Sequence, residues 1–260
     1  MPLVLHQLQD GVLSVSLNRP EKKNAVNVPL LEEFDAALAR YETAVEARAL
    51  VVRGCGGCFC AGADIRALNS FGPAQMRAFH DLRERVLSRI EAFPGPTMAV
   101  VEGFALGTGL ELALSTDFRL AAEDALLGIP SSRLGVTESY PYIARLVRCV
   151  GLARTQFLVL TGERIGAAEA RDIGLVERVA SPGDLAAQAD QLARTLAANA
   201  PNAMVRSKQI VRHCWEDPRL EGIDDPARPF VESAGGRELQ EGTGAFLDKR
   251  EARFEHGNDE

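Results

Sequence analysis

From Gly11 to Leu17 apolar and polar side chains alternate, with Leu13, Val15 and Leu17 facing one way and Ser14 and Ser16 the other. A period of two predicts a strand. Asn18-Arg19-Pro20 ends it, because proline lacks an N–H and fixes φ. From Pro29 to Tyr41 the period lengthens: Leu30, Leu31, Phe34 and Leu38 share one face, and Pro29 suits the first turn of a helix. Ala49 to Arg53 reads as a short buried strand, and Gly54 to Ala63, rich in glycine and cysteine, as a loop. Met76, Phe79, Leu82, Val86, Leu87 and Ile90 recur at helical spacing up to about Phe93, where Pro94-Gly95-Pro96 stops the run. Thr97 to Val101 is the next strand. A glycine-punctuated turn, Gly103 to Gly109, leads into an apolar helix ending near Ser115. Asp117 to Ala121 and Ala125 to Ile129 are further short strands.

From about Glu138 the pattern is predominantly helical. Leu185, Leu192 and Leu196 mark one amphipathic helix, Pro201 opens another reaching about His213, and Gly242 to Phe254 reads as a final charged helix. Strands early and helices late predict an α/β core over residues 1–198 and a helical C-terminal region over 199–260, docked on the core or on another subunit.

Composition narrows the function. The chain has 260 residues, 46% hydrophobic and 25% charged, as in an ordinary soluble globular protein. A net charge of −7 argues against nonspecific nucleic-acid binding. Met1 to Asp10 has neither the basic nor the apolar region of a secretory signal, and no apolar run approaches bilayer-spanning length. Five cysteines (Cys55, Cys58, Cys60, Cys149 and Cys214) then read as reduced thiols, and the expected location is the cytoplasm. Cys55, Cys58 and Cys60 have no nearby fourth ligand for a structural zinc, so no metal is expected. His6, His80, His213 and His256 are scattered; His80 falls on the polar side of its helix and no role is assigned to any of them.

Two segments place glycine, small and apolar residues where a strand should end: Phe59-Cys60-Ala61-Gly62-Ala63-Asp64-Ile65, and Gly103-Phe104-Ala105-Leu106-Gly107-Thr108-Gly109-Leu110-Glu111-Leu112. Glycine allows sharp turns and close approach of a ligand to the main chain. Two N–H groups from separate loops can then converge on one oxygen, and each such donor is worth about 3 kcal/mol to a developing enolate. Taken singly, each segment is also just a tight turn, and Gly107-Thr108-Gly109 lacks the third glycine of a dinucleotide fingerprint. Glu111 carries more weight. Its neighbours Leu110, Leu112, Ala113 and Leu114 predict partial burial, which raises a carboxyl pKa and suits acid–base work. A structural carboxylate holding a nearby loop is the plainer alternative.

Together the two segments resemble the oxyanion-hole segments of the enoyl-CoA hydratase/isomerase (crotonase) superfamily. The similarity is colinear over nearly the whole chain: Asn18-Arg19-Pro20 with Asn24-Ala25 and Asn27, Leu134-Gly135, Arg145-Leu146, Leu160-Thr161-Gly162-Glu163-Arg164-Ile165, Ala167-Ala168-Glu169-Ala170, Gly174-Leu175-Val176, and Gly242 with Ala245-Phe246 and Lys249-Arg250. The resemblance implies a crotonase-like ββα spiral core with a helical C-terminal oligomerisation region. It implies an acyl-CoA thioester as the substrate, no separate cofactor, and a homotrimer or dimer of trimers.

Carried over by position, the thioester oxygen would sit between the N–H groups of Ala61 and Thr108, the latter standing where the family usually has glycine. Its β-branch narrows the space there. Lys22, Ala25, Ala61, Gly62, Ala63, Asp64, Ile65, Gly107 and Ser131 would line the path of CoA and its acyl group, with Arg19, Lys22 and Arg66 as phosphate partners on charge grounds. Phe246 and Lys249 would reach the CoA of a neighbouring subunit. The family's hydratases use two glutamates. Glu111 matches the first, but Ser131 occupies the position of the second, and a serine is no strong acid or base. Glu138 lies in a loop that carries an acidic residue in related isomerases and dehalogenases, and could compensate; as a glutamate near a helix start it could equally serve the helix dipole. Tyr140 and Tyr142 could face the acyl group or pack. The expectation is a hydratase, with isomerisation, other enolate chemistry (decarboxylation, thioester hydrolysis) or acyl-CoA binding without turnover as alternatives.

Overall fold

The computed structural model describes residues 1–254. In chain order its elements are β1 (Val4–Gln9), β2 (Val12–Leu17), α1 (Val28–Arg40), β3 (Ala49–Gly54), α2 (Ile65–Asn69), α3 (Pro73–Ala92), β4 (Thr97–Val101), β5 (Phe104–Leu106), α4 (Thr108–Leu114), β6 (Phe118–Ala122), β7 (Leu126–Gly128), α5 (Tyr140–Thr161), β8 (Arg164–Gly166), α6 (Ala167–Asp172), β9 (Arg178–Ala180), α7 (Pro182–Ala198), α8 (Pro201–Glu216), α9 (Arg228–Ser233) and α10 (Arg237–Asp248). Short 3-10 turns occupy Pro20–Lys22 and Pro130–Leu134.

One sheet has the order β1-β2-β3-β4-β6-β9; only β1 runs antiparallel to its neighbour. A second, smaller sheet pairs β5 with β7 in parallel and β7 with β8 antiparallel. The chain alternates between them. β4 enters the large sheet, β5 the small one, and α4 follows; β6 and β7 repeat the step before α5. This is the expected ββα spiral. β3 and β4 are covered on both faces and read as continuous apolar runs, as buried parallel strands do. β2 alternates in burial as its period predicts.

Four features depart from expectation. β1 was not foreseen, because His6, Gln7 and Gln9 interrupt the apolar pattern of an edge strand. β5 lies inside the segment read as a turn. α5 is broken at Gly151, whose φ is 76° and ψ 172°. The last helix begins and ends earlier than Gly242–Phe254, closing where Lys249 turns left-handed at φ 53°.

The spiral brings the two glycine-containing segments side by side. Cys60 donates its N–H to Phe104 O at 2.8 Å and accepts from Leu106 N–H at 3.1 Å. Glycine is required at this junction. A Cβ on Gly109 would lie 2.3 Å from Cys60 O, and one on Gly62, at φ +108°, would lie 2.9 Å from Leu106 O. Asn24, fully buried, accepts from Arg19 N–H and donates to the carbonyls of Cys55 and Cys58, pinning the loop before the first segment. Beyond α7, Lys208 of α8 donates to Phe93 O and Gly95 O and pairs with Asp117 at 2.8 Å, tying that helix to the core.

Candidate active site

Backbone hydrogen bonds identify the free donors. Ala61 N–H donates to Lys23 O at 3.0 Å, so it is not available to a ligand. Val26 N–H takes Gly62 O and Asp64 N–H takes Val26 O, which leaves Ala63 N–H between them without an acceptor among the described residues. Thr108 N–H is likewise free: the first intrahelical bond of α4 runs from Glu111 N–H to Gly107 O. The N–H groups free to hold a substrate oxygen are therefore those of Ala63 and Thr108, whereas Ala61 N–H, expected in that place, is spent on Lys23 O. Gly62, at φ +108°, breaks the alternation of an extended chain between the two alanines, so their N–H groups meet different surroundings.

The Gly107–Thr108 peptide is held from behind. Tyr142 O–H donates to Gly107 O at 2.8 Å, on the opposite edge of the peptide plane from Thr108 N–H, and Gly107 N–H donates to Gly128 O at 2.9 Å. Burial pushes the Tyr142 phenol pKa up, so it stays protonated as that donor.

Both free N–H groups open on a cavity of about 580 Å³. Its walls include Gly62, Ile65, Leu68 and Met76 on one side and Ser131, Leu134, Val136 and Glu138 on the other. Ser131 donates its hydroxyl to Glu138 Oε1, and so directs the carboxylate at the cavity wall. His80 and Arg83 of α3 line it too.

Glu111 does not line the cavity. It is fully buried behind it, with Arg83 Nε 3.0 Å from Oε2 and Arg145 Nη1 3.5 Å from Oε1. The closer contact is one of charge alone, because the Arg83 N–H is not aimed at the oxygen and neither atom has a hydrogen bond. Arg145 also binds Glu84 at 3.0 Å and Glu91 at 2.7 Å. Burial pushes the Glu111 carboxyl up to about 8; the two guanidinium groups oppose that rise, while Glu84 and Glu138 add to it. The ion-paired cluster holds three carboxyls, Glu84, Glu91 and Glu111 itself, against the guanidinium groups of Arg83 and Arg145, so a proton on Glu111 balances the charge of these five groups.

Comparison with known proteins agrees with this architecture. A family model described as enoyl-CoA hydratase/isomerase matches residues 7–257. The chain belongs to the enoyl-CoA hydratase/isomerase family. It is 34% identical over 248 residues to the short-chain-enoyl-CoA hydratase of Clostridium acetobutylicum, covering 95% of both chains. It is 33% identical over 249 residues to the human enoyl-CoA hydratase domain-containing protein 2, mitochondrial, covering 94% of this chain and 85% of that one. The crystal structure of an enoyl-CoA hydratase from Bacillus anthracis superposes with a TM-score of 0.93 at 30% identity, covering 98% of this chain and 100% of the other. The chain is thus an acyl-CoA-processing enzyme of the crotonase fold.

Of the residues singled out in the sequence, Ala61, Gly62, Ala63, Ile65, Gly107, Thr108, Ser131 and Glu138 line this one cavity. Lys22, Ala25 and Asp64 do not line it. Lys22 is exposed, and Ala25 O and the Asp64 carboxylate are both taken by the Arg19 guanidinium, at 2.8 and 2.9 Å. Arg19, so engaged, is no free phosphate partner, while Arg66 stands exposed on α2. Phe246 lines a separate groove among α8, α9 and α10, and Lys249 follows it. Tyr140 is exposed rather than turned to the site. Among the described residues no three His, Cys, Asp or Glu side chains stand together as a metal site. Burial holds the Cys60 thiol at about 12, an unreactive form. No helix among the described residues is long and apolar enough to cross a membrane.

Arg83, His80, Glu84 and Glu91 were missed. One signal for Arg83 was in the sequence: it falls among Phe79, Leu82, Val86, Leu87 and Ile90, on the buried stripe of α3.

Proposed function

We propose that this enzyme is an enoyl-CoA isomerase that shifts the double bond of a 3-enoyl-CoA into conjugation with the thioester. The observation that carries the reading is the number of carboxyl groups at the cavity. Glu138 lines it; Glu111 is sealed behind Arg83; Ser131 stands where a second carboxyl would be. Adding water needs one group to take a proton from water and another to place one on carbon. Moving a double bond needs one base. Glu138 takes the proton from C2, the electron pair shifts onto the thioester oxygen as a dienolate, Ala63 and Thr108 N–H hold that oxygen, and Glu138 returns the same proton to C4. The reaction needs no metal or cofactor beyond the CoA of its substrate, and the cytoplasm is the proposed location.

Hydration is the second reading. It is favoured by the Clostridium relative, named as a hydratase, and requires Glu111 to reach the acyl group.

The two readings separate in one assay of the conjugated enoyl-thioester absorbance. With a 3-enoyl-CoA the absorbance is expected to rise; with crotonyl-CoA it is expected to hold steady. Glu138→Gln should slow the rise by about 10²–10⁴-fold, whereas Glu111→Gln should keep it within about tenfold. Loss of crotonyl-CoA absorbance that depends on Glu111 would replace isomerisation with hydration.

We also propose that the chain assembles as a trimer, or as paired trimers, through its C-terminal helices. Trp215, Phe230, Phe246 and Leu247 stand more than half exposed on α8, α9 and α10, more apolar surface than a free helical region leaves in water without a partner.

A further inference from the structure

Three arginines, Arg83, Arg133 and Arg164, and one carboxylate, Glu138, line the acyl cavity. Arg133 and Arg164 are exposed. Arg83 is not: its side chain is 11% accessible, and it is the only buried cation on the wall among the described residues. A guanidinium taken out of water is costly unless its N–H groups find acceptors. Those of Arg83 are poorly served. Nε is not aimed at Glu111, Nη2 reaches His80 Nδ1 at 3.2 Å and stands 4.0 Å from Glu84, and Nη1, which is not sealed from solvent, has no acceptor among the described residues. An arginine only donates, so His80 Nδ1 accepts and its ring proton sits on Nε2. Nε2–H also lacks an acceptor among the described residues, and His80 lines the same cavity.

Neutralising Glu111 does not account for this arrangement. Arg145 already stands 3.5 Å from Glu111, and the carboxyl is pushed toward its neutral form by burial. A cation needed only for Glu111 would be turned fully onto it and sealed, not left on the cavity wall with unmet donors.

We propose that Arg83, with His80 beside it, is the receptor for a carboxylate at the far end of the acyl group, so that the preferred substrates are CoA thioesters of dicarboxylic acids. This rests on the acyl-CoA reading given above and names the substrate class of that site. Oxygen acceptors brought by such a substrate satisfy Nη1 and Nε2–H together, as a charge-assisted pair. Glu138 opposes an incoming anion, but its carboxylate is engaged by the Ser131 hydroxyl on the opposite wall. Phe79, Leu68 and Met76, also on the α2 and α3 side, offer apolar contact to the methylenes between thioester and carboxylate.

Binding of saturated thioesters tests this without any turnover. Succinyl-, glutaryl- and adipyl-CoA are titrated calorimetrically against butyryl-, valeryl- and hexanoyl-CoA, their length-matched neutral partners. At one length or more the diacid is expected to bind tighter by about tenfold or more. Arg83→Met should abolish that preference and Arg83→Lys should keep part of it. The Glu111 carboxyl left behind retains Arg145, and the wild-type comparison stands even where the Met variant fails to fold. Neutral thioesters binding as tightly as diacids at every length would overturn the assignment while leaving the acyl-CoA reading intact. If no thioester of either series binds, that underlying reading fails and this one with it.

Discussion

Tyr142, on α5, acts on the peptide that opens α4. By donating to Gly107 O it fixes the plane whose other edge carries Thr108 N–H. Tyr142→Phe keeps the ring and its packing and removes that one bond, worth about 1 kcal/mol. The expected result is a kcat lower by roughly fivefold to tenfold with KM nearly unchanged, because the peptide is called on most when charge reaches the oxygen. A rise in KM at constant kcat would assign Tyr142 to packing around the substrate instead. Glu111 makes a prediction of another kind. Its folded value of about 8 lies above the ordinary 4.5, so the folded state holds the proton more tightly. Stability from this site is complete below about 4.5 and is lost as pH rises through about 8. Urea unfolding followed from about pH 5 to pH 9 should show that decline, and Glu111→Gln should flatten it; an unchanged slope would place the pH dependence elsewhere. At this scale the sequence exposed the types of residue but not their directions. Ala61 and Ala63 are the same residue in the same loop, and only the bond from Ala61 N–H to Lys23 O tells which amide is spent. Glu111 looked like an acid at the pocket because its neighbours are apolar; nothing nearby in the chain announces that Arg83 and Arg145 arrive from other helices to wall it off.

Among elements, those that bury a complete face were legible. α1, α3, β3 and β4 each repeat an apolar pattern over enough residues to define its period, and each was found within a residue or two, save for the first turn of α3. β5, β8 and β9 have three residues apiece. Three residues show no period, and their pairing is decided by the sheet they join. β5 is the instructive case. Its glycine-flanked sequence reads as a turn, and its extended conformation is fixed by β7 on one side and Cys60 on the other. α10 ends early because Lys249 adopts the left-handed conformation, with its N–H on Phe246 O and that of Arg250 on Ala245 O, while the Arg250 guanidinium folds back to Glu241. Lys249 and Arg250 therefore belong to a cap rather than to further helix.

In the whole molecule, helices α8, α9 and α10 follow the spiral core beyond Ala198. Lys208 anchors α8 to that core, yet Phe230 and Val231 of α9 and Phe246 and Leu247 of α10 are exposed. The trimer proposed above predicts a mass near three or six times the 28.1 kDa of one chain in analytical ultracentrifugation, and Phe246→Asp together with Leu247→Asp should reduce it. A single-chain mass for the unaltered protein would leave those faces to another partner. The proposed oxyanion donors have a consequence for how such a protein changes over generations. Ala63 and Thr108 contribute main-chain amides, and any codon except one for proline preserves an amide. Random drift therefore leaves the power to stabilise an enolate almost untouched. Ser131, Glu138 and Arg83 enjoy no such immunity, since a single base change can remove a carboxylate or a guanidinium. The chassis is inherited, while the identity of the reaction is rewritten at a few side chains around it.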